Sequence, residues 1–268
     1  MKGKKRLTVI FKCFAFFMIW AILVGIGEIA TESPTLWRFG AELFPLLWTI
    51  LITAIFCVFE KGAVKIPLIH NFAKGSLTGL TAGLAWIFAS VGLVTVFGFG
   101  RFTQAEPVPR LWLWLLSAFL NTVMQELLVR GYLYQLLKRT FSIPAAAIVT
   151  TVLFTLMHGG AFEAGFIPVC NVITMSLFMT ALYESTETLA APIFAHAAWN
   201  LTGGILLGCD SLAEDYPSVL TMHPQGSAFF SGGANRLSAS VFVLILNTLL
   251  FFLFLRIQKK KHMKKPQG

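Results

Sequence analysis

Three pairs of residues, each pair four apart, carry the groups in this chain that can do chemistry: Glu126 with Arg130, Phe154 with His158, and His196 with Asn200. Residues four apart share one face of a helix, so each pair can be turned into a common interior. All three pairs lie inside apolar stretches. A charged side chain at the centre of a membrane span costs roughly 2.5–3.5 kcal/mol on insertion scales, and a chain that keeps one needs it for a site. Glu126 ahead of Arg130 is the favoured order for an ion pair within a helix, which lowers the cost of both charges. The first pair sits in the stretch N-T-V-M-Q-E-L-L-V-R-G, residues 121–131, which adds the amides of Asn121 and Gln125.

A carboxylate beside a neutral imidazole can take a proton from water and pass it on. A second histidine and an asparagine amide can donate hydrogen bonds to a developing oxyanion. That set describes hydrolysis of a peptide bond. Two histidines and a glutamate can equally hold zinc with an open position for water. Neither H-E-x-x-H nor its inverse occurs, and there is no G-x-S-x-G elbow. Phe154 is read as packing.

The elements that must position these residues follow from composition. The chain has 268 residues, 56% of them hydrophobic and 12% charged, with a mean hydropathy of +0.75. Several apolar runs reach the roughly 20 residues that cross a bilayer as a helix. The expectation is an all-α, polytopic protein of the membrane, a single domain over residues 1–268. The basic N-terminus followed by an apolar run has the look of a signal peptide, but the run continues too far, and it is read as a retained first helix. Cys13, Cys57, Cys170 and Cys209 are scattered with no CxxC, and are read as small buried hydrophobes.

Eight helices are expected, at about residues 7–30, 44–59, 77–99, 111–138, 144–158, 166–183, 189–207 and 237–257. Loops are expected at 61–75, 100–110, 161–165 and 208–236, and a basic cytoplasmic tail at 258–268. Lys12 is expected to snorkel to the headgroups. Gly79, Gly83 and Gly92 point to close helix packing. The net charge of +9 does not call for nucleic acid. With both ends cytoplasmic, fifteen of the 21 Lys and Arg residues fall on the inner side. Only Arg38, Arg101, Arg110 and Arg236 fall outside, which is the positive-inside pattern. At a rise of about 1.5 Å per residue, Glu126, His158 and Asn200 stand roughly 18, 21 and 16 Å from the inner ends of the fourth, fifth and seventh helices. One polar chamber holding all three pairs is therefore the expectation.

The ordered set resembles the CAAX prenyl protease and bacteriocin-processing family of intramembrane endopeptidases (CPBP, also called Abi). That family is marked by E-E-x-x-x-R-G, F-x-x-x-H and H-x-x-x-N. The matching stretches are Q-E-L-L-V-R-G (residues 125–131), F-T-L-M-H (154–158) and H-A-A-W-N (196–200), within a family-like core at about 111–208. The resemblance implies Glu126, His158, His196 and Asn200 as catalytic residues, with Gln125 and Arg130 in support. The family is described both as metal-dependent and as a glutamate-type peptidase, so the cofactor is none or a divalent metal such as zinc. If metal is used, its ligands are Glu126, His158 and His196.

The implied partners are the lipid bilayer and a membrane-associated peptide or prenylated or bacteriocin-like substrate, in a bacterial plasma membrane. One position departs from the pattern: Gln125 stands where the family has its first Glu, and an amide is not a base. Three outcomes are open: Glu126 is the base, the mechanism is a variant, or the chain is an inactive relative kept as a scaffold or immunity protein. A transporter is the competing class, since intramembrane Glu, Arg and His also mark transport paths; no repeated pair of broken helices supports it.

Overall fold

The computed structural model describes residues 2–213 and 215–264, and each of the eight expected stretches has a helical counterpart there. The order is α1 (Lys2–Leu23), α2 (Pro34–Phe59), α3 (Phe72–Val96), β1 (Gly100–Gln104), α4 (Leu111–Glu126), a π-helical segment (Leu127–Leu133), α5 (Tyr134–Thr140), α6 (Ile143–Met157), α7 (Gly159–Ala164), α8 (Phe166–Thr186), α9 (Ala190–Ala198), a second π-helical segment (Trp199–Leu206), β2 (Leu220–Pro224), α10 (Ala228–Ser231), a 3-10 segment (Gly233–Ala239) and α11 (Val241–Lys264). Among the described residues, six helical stretches are long and apolar enough to cross a membrane: Lys5–Leu23, Pro34–Phe59, Phe72–Val96, Leu111–Thr140, Phe166–Thr186 and Gly233–Lys261. Ile143–Met157 is apolar but shorter. The protein is an all-α, multi-pass membrane protein.

Two compact units form, one from Met1–Pro67 and Trp112–Leu153, the other from Leu68–Leu111 and Phe154–Gly268. In the first unit, α1 stops at Leu23, short of the expected Ala30. Gly27 takes φ +111°, outside any right-handed helix. Helix α2 starts ten residues earlier than expected, with Ser33 at the N-cap and Pro34 in the first turn. Within this added stretch Arg38 and Glu42 lie four apart and pair at 3.0 Å. Trp20 Nε1 donates to Thr49 Oγ1 at 2.9 Å, and Phe16 packs on Phe56 and Tyr132 with ring centres 5.2 and 4.9 Å apart. Lys12 does not simply snorkel. Its Nζ reaches Glu60 Oε1 at 2.6 Å, and Tyr132 Oη donates to the same oxygen at 3.0 Å.

In the second unit, the small residues of α3 set the packing. A Cβ on Gly79 would meet Ala191 Cα at 2.9 Å, and one on Gly83 would meet both Ala195 Cα and Ala198 Cβ at 2.8 Å. Only hydrogen atoms allow α3 and α9 to approach so closely. Gly75 belongs to the same stripe, facing Thr188, whereas Gly92 does not: a Cβ there meets nothing within 4 Å.

Helices α8 and α11 are joined by amides. Asn171 Nδ2 donates to the carbonyls of Ser238 and Ser240 at 2.9 and 3.1 Å, and Asn247 Nδ2 donates to the Asn171 carbonyl at 3.1 Å. The expected loops carry structure. Residues 161–165 are mostly α7, and β1 from 100–110 pairs antiparallel with β2 from 208–236, Gly100 opposite Pro224 and Gln104 opposite Leu220. Helix α11 begins at Val241 and runs through the expected basic tail as far as Lys264, where Lys261 Nζ pairs with Glu187 at 2.9 Å. Glu214 and the end of the tail, from Lys265, lie outside the described residues.

Candidate functional site

The first unit holds the carboxylate and its neighbours. Glu126 is the last residue of α4, and its Oε2 accepts from Arg130 Nη1 at 2.8 Å with both side chains fully buried. The i,i+4 pair expected from the sequence is formed. The widened helical turn that follows Glu126 was not legible in the sequence. It contains Gly131 at φ −74°, ψ −114°, a backbone state outside the α basin that interrupts the regular ladder. Such π-type turns concentrate at functional sites because they re-aim the side chains around them. Immediately before Glu126, Gln125 Nε2 donates to Asn121 Oδ1 at 2.5 Å, and Asn121 Nδ2 donates to Glu42 Oε2 at 2.6 Å. Arg38 closes this run of polar contacts on Glu42 Oε1.

The second unit holds both histidines. Helix α6 ends at Met157, so His158 is not a residue of the helix as expected. It is the cap ahead of α7, at φ −98°, ψ 56°. Gly159 and Gly160 follow it. His158 Nδ1 lies 2.7 Å from the Phe154 carbonyl oxygen. A carbonyl only accepts, so Nδ1 carries the proton, and Nε2 is the ring's basic nitrogen. The Phe154 ring lies 4.3 Å from the His158 ring and 6.1 Å from the His196 ring, centre to centre. Phe154 is fully buried and touches both imidazoles, which makes it the packing surface that fixes them.

His196 is 2% exposed on α9, and Asn200, 8% exposed, is one turn on in the second π-helical segment. Beside them, Trp199 stacks on Trp86 with centres 3.9 Å apart, and its Nε1 donates to Asp210 Oδ2 at 2.6 Å. Ser238 Oγ donates to the other carboxylate oxygen. Burial pushes the Asp210 carboxyl above the usual carboxylate range, while the hydrogen bonds from Ser238 and Trp199 pull the other way. Sequence reasoning placed Asp210 in a loop and gave it no role. The structure makes it the residue that holds Trp199, and with it the turn carrying Asn200. An acid four residues past the end of an apolar helix was the one available hint.

Other polar residues are not gathered here. His70 is exposed and bonds Asn71 at 3.0 Å, and His223 is exposed on β2 beside Thr103 at 2.8 Å. Among the described residues, no three His, Cys, Asp or Glu side chains are gathered as a metal cage requires. His158 Nε2 and the His196 ring are suitable nitrogen donors, but among the described residues no third ligand is assembled with them.

Residues 107–202 match the family model described as type II CAAX prenyl endopeptidase Rce1-like. The match covers a little over a third of the chain and includes all three of the paired motifs. No curated protein matches the chain.

Proposed function

We propose that this chain, carrying the Rce1-like CAAX endopeptidase pattern over residues 107–202, is an intramembrane endopeptidase that hydrolyses a membrane-associated peptide. The observation that carries the reading is the anchoring of His158. Its Nδ1–H is held by the Phe154 carbonyl, which fixes the tautomer and leaves Nε2 to accept a proton.

In this reading His158 Nε2 removes a proton from water as the water oxygen bonds to the scissile carbonyl carbon. The carbonyl oxygen becomes an oxyanion, and His196 and the Asn200 amide donate hydrogen bonds to it. The carbon–nitrogen bond then breaks as the proton passes from His158 to the leaving nitrogen, giving a carboxylic acid and an amine. The proton acceptor thereby moves from Glu126 to His158. The Glu126 carboxylate already balances Arg130 at 2.8 Å, and that engagement weakens it as a base while it anchors the turn. The substrate is a membrane-inserted or membrane-tethered peptide of prenylated or bacteriocin-like type. The setting is a bacterial plasma membrane with both termini cytoplasmic, as the charge bias supports.

Gln125 favours one second reading, a family member that binds its peptide or partner without cutting it. One comparison separates the two. Wild type and His158→Ala are expressed at matched membrane levels, and new peptide termini are mapped in membrane and secreted fractions. Termini produced by wild type alone are the expected result. Identical termini from both proteins overturn the peptidase reading. If Gln125→Glu then creates cleavage where wild type has none, the binding reading stands.

A further inference from the structure

The ribbon of β1 and β2 has one closed edge and one open edge. The alternation of an antiparallel pair says which backbone groups face where. The Gln225 N–H donates to the Phe99 carbonyl at 2.8 Å, and the Ala105 N–H to the Val219 carbonyl at 3.1 Å. Both are therefore hydrogen-bonded pairs, and the register between them is continuous, with Phe102 opposite Met222 and Gln104 opposite Leu220. Counting by twos, Phe102 and Gln104 fall on the positions that do not bond to β2, and their N–H and C=O groups point to the far side. Met222 has the matching phase: its N–H turns away from β1 and reaches the Gly208 carbonyl at 3.3 Å.

That contact closes the far edge of β2. Just before β2, the Val219 N–H donates to the Ile205 carbonyl at 2.9 Å, within the π-helical segment that carries Asn200. The edge of β1 is open. Among the described residues, no hydrogen bond uses the outward backbone groups of Phe102 or Gln104. The strand holds no proline and no bulge, the usual devices that blunt a sheet edge. Such an edge presents donors and acceptors at the repeat of an extended peptide. Its exposed face is basic: Arg101 stands opposite His223, both exposed, with Thr103 next on that face. A strand added alongside places every second side chain on this face, so an acidic residue is the complement of Arg101.

We infer that the open edge of β1 takes up an extended segment of the peptide substrate as a third strand, with an acidic side chain of that segment beside Arg101. The identity of the occupant as substrate rests on the peptidase reading. Strand addition suits a peptidase, because a helix engages its carbonyl groups in its own ladder and an extended chain leaves them accessible. Through Val219 the ribbon is bonded to the segment bearing Asn200, and both belong to one compact unit.

The test uses the purified full chain in detergent and a short dye-labelled peptide of Thr and Ser with one central Glu, its binding read by fluorescence anisotropy. Two further copies of the peptide are N-methylated at alternate backbone amides, one copy in each phase. Only one phase faces β1 in an added strand. One copy is therefore expected to bind roughly tenfold more weakly and the other like the parent. Gln104→Pro removes an outward N–H and leaves the bonds to β2 in place, so it is expected to weaken binding by a similar factor with the melting temperature unchanged. Gln104→Ala keeps that N–H and should bind as wild type does. Arg101→Ala should remove the advantage of the Glu peptide over its Gln counterpart. Equal effects of the two methylation phases, equal losses from Gln104→Pro and Gln104→Ala, or no binding to wild type overturn the inference. A dimer that Gln104→Pro dissolves also overturns it, by giving the edge to a second copy. If the peptide binds in one phase and no peptide is cleaved, the peptidase reading fails and the strand site stands.

Discussion

Replacing Gly83 by alanine adds one carbon atom to α3 at the point where it meets the turn of α9 that carries His196. The new Cβ would stand 2.8 Å from Ala195 Cα and 2.8 Å from Ala198 Cβ. The Ala195 carbonyl oxygen is nearer still, so to reach an ordinary contact of 3.4 Å, α9 must retreat by about 1 Å. Its backbone cannot yield locally, because a helix in a packed bundle moves as a rod. His196 therefore moves by a similar distance. Displacements of 1 Å at a reacting centre cost about a hundredfold in rate, so this retreat predicts a loss of roughly a hundredfold in kcat. Overpacking should also lower stability by about 1–3 kcal/mol.

Gly92→Ala is the paired control. It lies on the same helix with open space around it, and replacing a mid-helix glycine by alanine should stabilise the fold by about 0.5–1 kcal/mol without touching the rate. Both proteins are assayed for peptide cleavage in proteoliposomes and for thermal melting in detergent. Wild-type activity in a folded Gly83→Ala protein would refute the argument that the α3–α9 contact seats His196.

Three further outcomes are expected. Arg130→Leu strands the buried Glu126 carboxylate and should cost about 3–5 kcal/mol, seen as a large fall in melting temperature or in membrane level; adding Glu126→Gln should recover part of it. Tyr132→Phe removes one of two donors to Glu60 Oε1 and should cost about 1.5 kcal/mol in a detergent melt, since Lys12 still holds that oxygen. Asp210 is raised by burial, so the folded state holds its proton more tightly than the unfolded chain, whose carboxyl titrates near about 3.9. Its contribution is then fully present below that pH and is lost as pH rises through the higher folded value. Asp210→Asn should flatten this part of the stability–pH curve, and an unchanged slope would count against a buried acid there.

Much of this was legible in the sequence because the lipid-facing rule is simple. Long apolar runs became helices, and Glu126 and Arg130 paired within one helix as their spacing required. The stripe of Gly79 and Gly83 was visible as small residues four apart. Gly92 was included by the same logic and does not belong, because what lies opposite a glycine is a tertiary fact. The widened turns after Glu126 and at Asn200 left no local signal, since nothing in L-L-V-R-G-Y-L or W-N-L-T-G-G-I-L distinguishes one more residue per turn from an ordinary helix. The ribbon of β1 and β2 was missed for a related reason: each strand is five residues long, and its partner lies some 120 positions away in the chain. The role of Asp210 depends on where Trp199 and Ser238 meet, and no window of the sequence contains all three.

The placement of the buried charges also bears on the order in which the protein is built. Arg38 with Glu42 and Glu126 with Arg130 are each closed within a single helix. Such a helix can leave the insertion machinery and enter lipid already neutral, with no neighbour present. Lys12 and Glu60 belong to different helices, and their contact exists only when α1 and α2 have come together as a hairpin. The first two helices must therefore be released as a pair, or one charge waits in lipid for the other, whereas the helix bearing Glu126 can follow alone.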